Sequence, residues 1–364
     1  MFKNNFKNKK ILVTGHTGFK GSWLSYWLIN LGAKVVGVSN KINTTPSHYT
    51  SINLNSKLKT NFLDISDKNK LLKVFKKEKP DFIFHLAAQA LVKKSYNSPL
   101  TTWSSNTLGT INILECLREI QFRKKCICVL ITSDKSYKNI EIKKGYKEHD
   151  ELGGKDPYSA SKASAELAIK SYHQSFFLNK KSKIRLAVAR AGNVIGGGDW
   201  SEDRLIPDCI INWSKNKSVN LRNPNSTRPW QHVLEAISGY IKLAIELEKN
   251  KKLNGEAFNF GPNLKQTYSV KEVVSEFRKN WNNAKFKISK VKNKNFFESN
   301  LLKLNSMKAL ELLNWRCILT FKENIALVSE WYKNFYSGHD IEKTTKKQIF
   351  LYTKLMQNRI KKKK

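Results

Sequence analysis

Acidic side chains are scarce in this 364-residue chain, with 29 Asp and Glu against 66 Lys and Arg, and the formal net charge is +37. An excess of this size suggests a nucleic-acid-binding protein. The lysines, however, are scattered along the whole chain, whereas specific binders gather basic residues on one face or arm. We therefore expect a general attraction for anionic ligands and no specific nucleic-acid partner.

Cysteine is also scarce, and long apolar runs are missing. The five cysteines are odd in number and show no C-x-x-C spacing, so buried thiols in a reducing cytoplasm are favoured over a metal site or disulfides. No apolar run approaches the roughly 18 residues that span a bilayer. The apolar stretch of MFKNNFKNKKILV ends at Gly15, so we expect neither a signal peptide nor a membrane anchor.

The first half of the chain alternates short apolar runs with segments of helical periodicity. This alternation predicts an α/β fold, a doubly wound parallel sheet of the Rossmann type with helices on both faces. Ligands in such sheets bind at the carboxyl ends of the strands. The predicted strands are Ile11–Thr14, Lys34–Val38, Asn61–Leu63, Phe82–Leu86, Ile127–Thr132 and Ile184–Ala189.

The pattern changes after about residue 190. A glycine-rich string, GNVIGGGDW, precedes predicted helices at Leu234–Glu248 and Val270–Trp281. We expect a dinucleotide-binding domain over 1–190 and a smaller C-terminal α/β substrate-binding lobe over 191–340, interleaved with the first. The Lys-rich tail, 341–364, predicts a frayed or peripheral helix.

A glycine-rich turn follows the first strand directly. Gly15, Gly18 and Gly21 are spaced as G-x-x-G-x-x-G and lead into the aromatic-rich segment SWLSYWLINLG. Glycines at this spacing let backbone N–H groups approach a pyrophosphate at a helix N-terminus, which predicts a dinucleotide site. We expect Trp23 and Trp27 to be core residues of that helix.

The acidic residue that holds the adenosine ribose is missing after the second strand. Ser39 and Asn40 stand at its place, and Lys41 nearby suits the 2′-phosphate of NADP. NAD is the favoured cofactor, and NADP stays open as the alternative. Asp64, after the third strand, is either a partner for the adenine end or an N-cap for the helix that begins near Asp67.

Two strings carry candidate catalytic residues. Tyr158 and Lys162 stand at i and i+4 in DPYSASKASAEL, which places them on one helix face. A nearby cation lowers the pKa of a phenol and makes it a usable base. Another strand ends in ITSDK, where Ser133 can bind a sugar hydroxyl, Asp134 is a candidate general acid and Lys135 a candidate base.

Together these strings resemble the extended short-chain dehydrogenase/reductases of the NAD-dependent epimerase/dehydratase family. Within that family the chain is similar to the CDP-glucose 4,6-dehydratases. The resemblance covers residues 11–235 in the family's order and continues compatibly to about residue 336. The strings that carry it are TGHTGFKGSWL, HLAAQALVKKSY, TSDKSY, YSASKASAE, ARAGNVIGGGDWSEDRLIPD and RPWQHVLE.

The resemblance implies roles for individual residues. Ser133, Asp134, Lys135, Tyr158 and Lys162 would be catalytic. The implied NAD-binding residues are Gly15, His16, Thr17, Gly18, Phe19, Lys20, Gly21, Asp64, Ala87, Ala88, Gln89, Asn106, Tyr158 and Lys162. Asn106 would support the Tyr–Lys pair through water. The implied substrate-binding residues are Asn193, Arg204, Arg228 and His232, although His232 is also suited to capping the next helix. Trp200 and Trp230 are equally suited to stacking on the base and to packing.

The implied reaction is the conversion of CDP-glucose to CDP-4-keto-6-deoxyglucose. The implied enzyme is a homodimer that acts in deoxysugar and lipopolysaccharide O-antigen biosynthesis. Lys135 would be the base at C5, made neutral by burial beside Lys162, or a charged group that stabilises the enolate. Rival hypotheses are a family enzyme for dTDP-, UDP- or GDP-sugars, an epimerase, and a basic nucleic-acid-binding protein. An epimerase needs neither Asp134 nor Lys135.

Overall fold

The computed structural model of the chain describes residues 2, 4–221, 223–281, 284–288 and 301–361. Its strands alternate with helices through the first half of the chain, as the apolar runs predict. In chain order the strands are β1 (Lys10–Thr14), β2 (Lys34–Ser39), β3 (Lys59–Phe62), β4 (Phe82–His85), β5 (Cys126–Ile131), β6 (Ile184–Ala191), β7 (Val194–Ile195), β8 (Val219–Leu221), β9 (Thr227–Arg228), β10 (Gln231–His232), β11 (Ala257–Phe260), β12 (Tyr268–Ser269) and β13 (Phe286–Ile288).

Seven of these strands form one sheet in the order β11-β6-β5-β4-β1-β2-β3, and all of their pairings are parallel. The reversal of strand order beside β1 is the crevice at which doubly wound sheets bind their ligands. The six strands predicted from the sequence are confirmed, each within two residues at either end. The sheet also includes β11, which the sequence analysis did not identify as a strand and which lies within the range expected for the smaller lobe.

Helices cover both faces of the sheet and bury one core on each side. Helices α1 and α9 pack on one face, and α3, α6 and α7 pack on the other. The helices are α1 (Phe19–Asn30), α2 (His48–Ser51), α3 (Lys68–Glu78), α4 (Val92–Asn97), α5 (Pro99–Trp103), α6 (Gly109–Glu119), α7 (Pro157–Tyr172), α8 (Leu205–Trp213), α9 (Val233–Lys249), α10 (Val270–Lys279), α11 (Met307–Leu313), α12 (Phe321–Tyr336) and α13 (Ile341–Lys361).

The core contains the residues that the sequence analysis assigned to it. Trp23 and Trp27 are buried in α1, as predicted. Four of the five cysteines are buried and Cys317 is half-buried, and burial raises the pKa of each thiol. The described residues include no helix long and apolar enough to cross a membrane.

The smaller strands pair outside the main sheet, as β7 with β10, β8 with β13 and β9 with β12. They lie beside the carboxyl ends of β5 and β6, together with α8 and α10. Helix α10 begins at a capping box between Ser269 and Glu272 and ends two residues before the predicted Trp281. The predicted long helix is also found, as α9.

The C-terminal segment is more firmly packed than its composition suggests. Helix α13 buries Thr345, Gln348, Tyr352 and Met356 against the rest of the chain. These residues recur at three- and four-residue spacing, so one side of the helix faces the core while the lysines face solvent. The last three lysines of the KKKK tail lie outside the described residues.

Candidate active site

The turn between β1 and α1 has the geometry of a phosphate cradle. Gly15 has a φ of +74°, a conformation that side chains other than glycine rarely adopt. A Cβ on Gly21 would lie 2.0 Å from the Gly15 carbonyl oxygen, so only glycine lets the helix start this close to the turn. The first turn of α1 contains no acidic residue, which leaves the helix N-terminus suited to an anion. These features fit the pyrophosphate of a dinucleotide.

Two of the predicted cofactor residues in this turn face the protein instead. The ring of His16 is buried, and its nitrogens lie 3.0 Å from the Ser39 and Thr60 hydroxyls. Burial lowers the pKa of His16 to about 4, so the ring is neutral. The Thr17 hydroxyl donates to the Lys41 carbonyl at 2.7 Å. Both side chains therefore connect the turn to β2 and the residues that follow it.

A cavity lies at the carboxyl ends of the strands, and Phe19 and Lys20 both line it. Burial, together with a smaller effect of Arg204, lowers the pKa of Lys20 to about 8, although Asp134 and Asp199 oppose the change. The ammonium of Lys20 is therefore close to the candidate catalytic groups as well as to the glycine turn.

The ends of β2 and β3 differ from an acidic ribose site. The Ser39 hydroxyl, at the position of the missing acid, is engaged by His16 and by the Thr17 N–H. Asp64 is exposed and accepts hydrogen bonds from the N–H and hydroxyl of Ser66, each at 2.8 Å. The N-cap of α3 is Asp67, so the capping alternative for Asp64 is wrong.

A buried amide helps to hold the segment after β4. Asn106 accepts from the Gln89 N–H at 2.8 Å and lies 3.1 Å from the Gln89 carbonyl oxygen and 2.9 Å from the Ser161 hydroxyl. It stands in a π-helical turn, Ser104–Leu108, and such turns are frequent at functional sites. Asn106 thus connects the loop of Ala87, Ala88 and Gln89 to α7, the helix that carries Tyr158 and Lys162; its support of that pair through water stays a prediction.

Tyr158 and Lys162 lie on α7, and both are nearly buried. The Tyr158 side chain lines the cavity. Burial raises the pKa of its phenol, while a hydrogen bond from Ser133 and the charge of Arg204 oppose that rise. The lowering expected from Lys162 is therefore not found. Its ammonium is directed to the Ile131 carbonyl oxygen at 3.4 Å, and burial lowers the pKa of Lys162 to about 7, to which Lys20 adds.

Ser133, Asp134 and Lys135 form a short turn at the end of β5. The Ser133 hydroxyl lies 3.0 Å from Asp134 Oδ1, and Asp134 Oδ2 is buried without a hydrogen-bond partner among the described residues. Lys135 Nζ is 3.7 Å from the Asp134 carboxylate, with 31% of its side chain exposed. Lys135 is therefore only partly buried, whereas its role as a neutral base required burial.

The opposite wall of the cavity carries the predicted substrate residues. Asn193, Arg204 and Arg228 line it. Arg204 is held by Asp199 at 2.9 Å, and the Tyr332 hydroxyl lies within hydrogen-bond distance of the Asp199 backbone. The sequence analysis missed Asp199 as a functional residue, although the string GGGDW contained it.

His232, Trp200 and Trp230 have different surroundings in the structure. His232 is buried away from the cavity, and its Nδ1 accepts from the Leu234 N–H at 3.2 Å as the N-cap of α9. Trp200 packs against the aromatic rings of α12, whereas Trp230 lines the cavity. The geometry therefore favours the capping role for His232 and packing for Trp200.

Comparison with known proteins identifies the family of the chain. Residues 12–328 match the family model of GDP-mannose 4,6-dehydratase. The chain therefore belongs to this family of the extended short-chain dehydrogenase/reductases. It is 40% identical to CDP-glucose 4,6-dehydratase of Salmonella typhimurium over 353 residues, which cover 96% of this chain and 98% of the relative.

More distant relatives show the spread of activities on this fold. CDP-paratose 2-epimerase of Salmonella typhi is 27% identical, over 72% of this chain and 82% of its own length. The structure of dTDP-glucose 4,6-dehydratase from Bacillus anthracis, a complex with NAD, superposes with a TM-score of 0.75 at 21% identity. It covers 92% of this chain and 99% of that one. This structural similarity supports the assignment of the fold.

Proposed function

We propose that this chain is an NAD-dependent CDP-glucose 4,6-dehydratase, which converts CDP-glucose to CDP-4-keto-6-deoxyglucose and water. The observation that carries the proposal is the cavity that brings Tyr158, Ser133, Asp134 and Lys135 together beside the glycine turn. The 40% identity to the Salmonella enzyme over nearly the whole chain supports the choice of reaction and nucleotide.

The phenolate of Tyr158 takes the proton of the glucose 4-hydroxyl and becomes the phenol. Bound NAD would supply the redox chemistry, accepting a hydride from C4 and returning it to C6, so that it ends the cycle in its starting form. The Ser133 hydroxyl donates to the phenol and Arg204 is nearby, and both favour the phenolate. Lys20 lines the cavity and adds positive charge there, and Lys162, with a pKa of about 7, is charged in part and lies four residues after Tyr158 on the same helix.

Asp134 and Lys135 serve the elimination that follows. The 4-ketone acidifies the C5 hydrogen. Loss of this proton and departure of the 6-hydroxyl as water leave a double bond between C5 and C6. C5 is protonated again when C6 is reduced. Asp134 donates the proton to the departing hydroxyl. Lys135, within 3.7 Å of that carboxylate, takes the C5 proton as a neutral amine or stabilises the enolate as an ammonium.

The nucleotide end of the substrate lies against the smaller lobe. Arg228 is buried and offers a fork that suits a phosphate, while Arg204 and Asn193 line the same wall. Arg204 is pre-oriented by Asp199, which lowers the cost of ordering it on binding. The positive charge of the chain further attracts a dianionic nucleotide sugar.

We also propose that the enzyme is a cytoplasmic homodimer, in deoxysugar biosynthesis of the O-antigen kind. Exposed apolar side chains support a dimer through the helices of the dinucleotide-binding half: Leu100, Trp103, Leu108 and Leu167, of which Leu100 is 84% exposed. Apolar patches on soluble proteins mark interaction sites. Light scattering behind a sizing column tests this proposal. We expect the double variant Leu100→Glu, Leu167→Glu to be a monomer. The control Ile140→Glu, which also changes an exposed apolar side chain, should remain a dimer.

The experiment for the reaction itself is a panel of nucleotide sugars. The purified chain is incubated with NAD and CDP-, dTDP- or UDP-glucose, or GDP-mannose, and the alkaline absorbance of a 4-keto product is read. We expect a product from CDP-glucose at a kcat/KM at least about tenfold above the others, since a wrong base leaves polar groups of the site unpaired and costs at least about that factor. Conversion without loss of the 6-hydroxyl would instead identify an epimerase.

A further inference from the structure

A buried carboxylate lies beneath the turn that carries Ser133, Asp134 and Lys135. Glu166 stands in α7, four residues after Lys162, and is 4% exposed. Its Oε1 accepts from the Thr132 hydroxyl at 2.6 Å and from the Ser136 hydroxyl at 2.9 Å. These two hydroxyls flank the three-residue turn on either side, so one carboxylate holds both ends of it.

The counterion of Glu166 comes from the neighbouring strand. Arg190 of β6 is 3% exposed, and its Nε lies 2.8 and 2.9 Å from the two carboxylate oxygens, with Nη2 also paired to Glu166. Arg190 Nη1 donates to the Tyr137 hydroxyl at 2.6 Å and to the Glu148 carbonyl at 3.0 Å. The ion pair therefore connects α7, β6 and the segment after β5.

This network sets the direction of the turn as well as its place. Ser136 Oγ is also 2.7 Å from the Ser133 carbonyl oxygen, and the Lys135 N–H donates to the Ser133 hydroxyl at 3.2 Å. Hydrogen bonds from hydroxyls to a buried carboxylate are short and strong. A shift of the carboxylate would therefore move Asp134 and Lys135, whose turn has few residues to absorb it.

We propose that Glu166 is a positioning residue for the elimination step: it fixes the Asp134–Lys135 turn against the helix that carries Tyr158 and Lys162. Tyr158 and Lys162 keep their mutual spacing through the backbone of α7 and do not need the carboxylate for it. Asp134 and Lys135 lie on a short turn whose two flanking hydroxyls, of Thr132 and Ser136, both donate to Glu166. The inference rests on the proposed dehydratase function and deepens it.

The test separates C4 oxidation from elimination. In a single turnover with CDP-glucose, oxidation appears as absorbance of reduced dinucleotide at 340 nm, and elimination as its decay together with the 4-keto-6-deoxy product. Ser136→Ala removes one hydroxyl and leaves the ion pair intact. We expect elimination to slow about tenfold, the loss of one hydrogen bond to a charged group, and oxidation, to which the turn contributes only the Ser133 hydroxyl, to slow no more than about threefold. Glu166→Gln should slow elimination about a hundredfold in the same selective way.

Ser238→Ala is the matched control. Its hydroxyl is equally buried and lies 2.9 Å from both the Tyr352 hydroxyl and Trp315 Nε1, partners that belong neither to the turn nor to its contacts with Glu166, so its loss should leave the ratio of the two rates unchanged. An unchanged ratio in Ser136→Ala would overturn the proposal even if Glu166→Gln does not fold. If the unaltered chain makes no keto sugar, the dehydratase assignment fails first and this inference with it.

Discussion

The two sets of catalytic residues rest on different kinds of backbone. The oxidation group, Tyr158 and Lys162, lies on a 16-residue helix whose N-cap is Asp156. The elimination group, Asp134 and Lys135, lies on one 3₁₀ turn. A helix fixes i, i+4 spacing by its own hydrogen bonds, whereas a single turn depends on side chains around it. The comparison predicts that oxidation is robust to distant changes and elimination is not.

Removing the phenol should have the largest effect, because both steps depend on it. Tyr158→Phe keeps the buried ring and loses the only proposed proton acceptor for the 4-hydroxyl. We expect the rate of C4 oxidation to fall about 10²- to 10⁴-fold, the usual contribution of a general base, and elimination to disappear with it. Absorbance at 340 nm in a single turnover measures the first step directly.

A matched variant on the same helix is Tyr172→Phe. Tyr172 is the last residue of α7 and is only half-buried, so removing its hydroxyl should leave both rates within about twofold, as surface changes usually do. Oxidation that survives in Tyr158→Phe at the normal rate would contradict the assignment of the base.

Lys135→Ala should separate the two groups. The variant leaves α7 untouched, so we expect C4 oxidation to persist within about threefold and reduced dinucleotide to accumulate. Elimination should fall about a hundredfold or more, because either role of Lys135, base or electrostatic partner, is worth at least that. Product analysis after acid quenching distinguishes 4-keto-glucose from its 6-deoxy product.

Lys138→Ala provides the control for this change. Lys138 lies three residues further on, is exposed, and pairs with Glu151 at 3.0 Å; exposed pairs of this kind contribute little. Equal losses of oxidation and elimination in Lys135→Ala would reject the division of labour between the two groups.

Residues whose position follows from local periodicity were predictable from the sequence. The spacing of Tyr158 and Lys162 places them on one helix face, and the glycine turn is defined by three residues between a strand and a helix. The strands of the sheet were recognisable because fully buried parallel strands are continuous apolar runs, as in β5.

Contacts between distant segments were not predictable in this way. The ring of His16 is directed inward because Gly37, on the neighbouring strand, leaves space for it, and nothing near His16 in the sequence indicates this. Lys20 acts on the pKa of Lys162 only because α1 and α7 meet at the same edge of the sheet. Asp199 gains its role from Arg204 and from Tyr332 on a helix far along the chain.

A third region, which belongs to neither catalytic group, should give a smaller effect that favours neither oxidation nor elimination. Glu235 of α9 is buried and accepts hydrogen bonds from the Ile318 and Leu319 N–H groups and from the Tyr352 hydroxyl at 2.6 Å. It thereby ties helix α13 to the core. Burial raises the pKa of Glu235 to about 7, although these hydrogen bonds oppose the rise.

The sign of the pH effect follows from that shift. Between about pH 4.5 and 7 the unfolded chain loses the Glu235 proton while the folded chain keeps it, so the free energy of unfolding falls as pH rises and levels off above 7. The full loss is about 3 kcal/mol at 1.4 kcal/mol per pKa unit.

Glu235→Gln, which can accept from both N–H groups and donate to Tyr352, should abolish this loss. Urea unfolding at pH 5 and pH 8 should show similar stability at pH 5 and a more stable variant at pH 8. The ratio of oxidation to elimination should be unchanged in this variant, because that ratio depends on the turn after β5 and not on overall stability. A variant less stable than the unaltered chain at pH 8 would show that the three donors stabilise the ionised carboxylate and that the pKa of Glu235 is not raised.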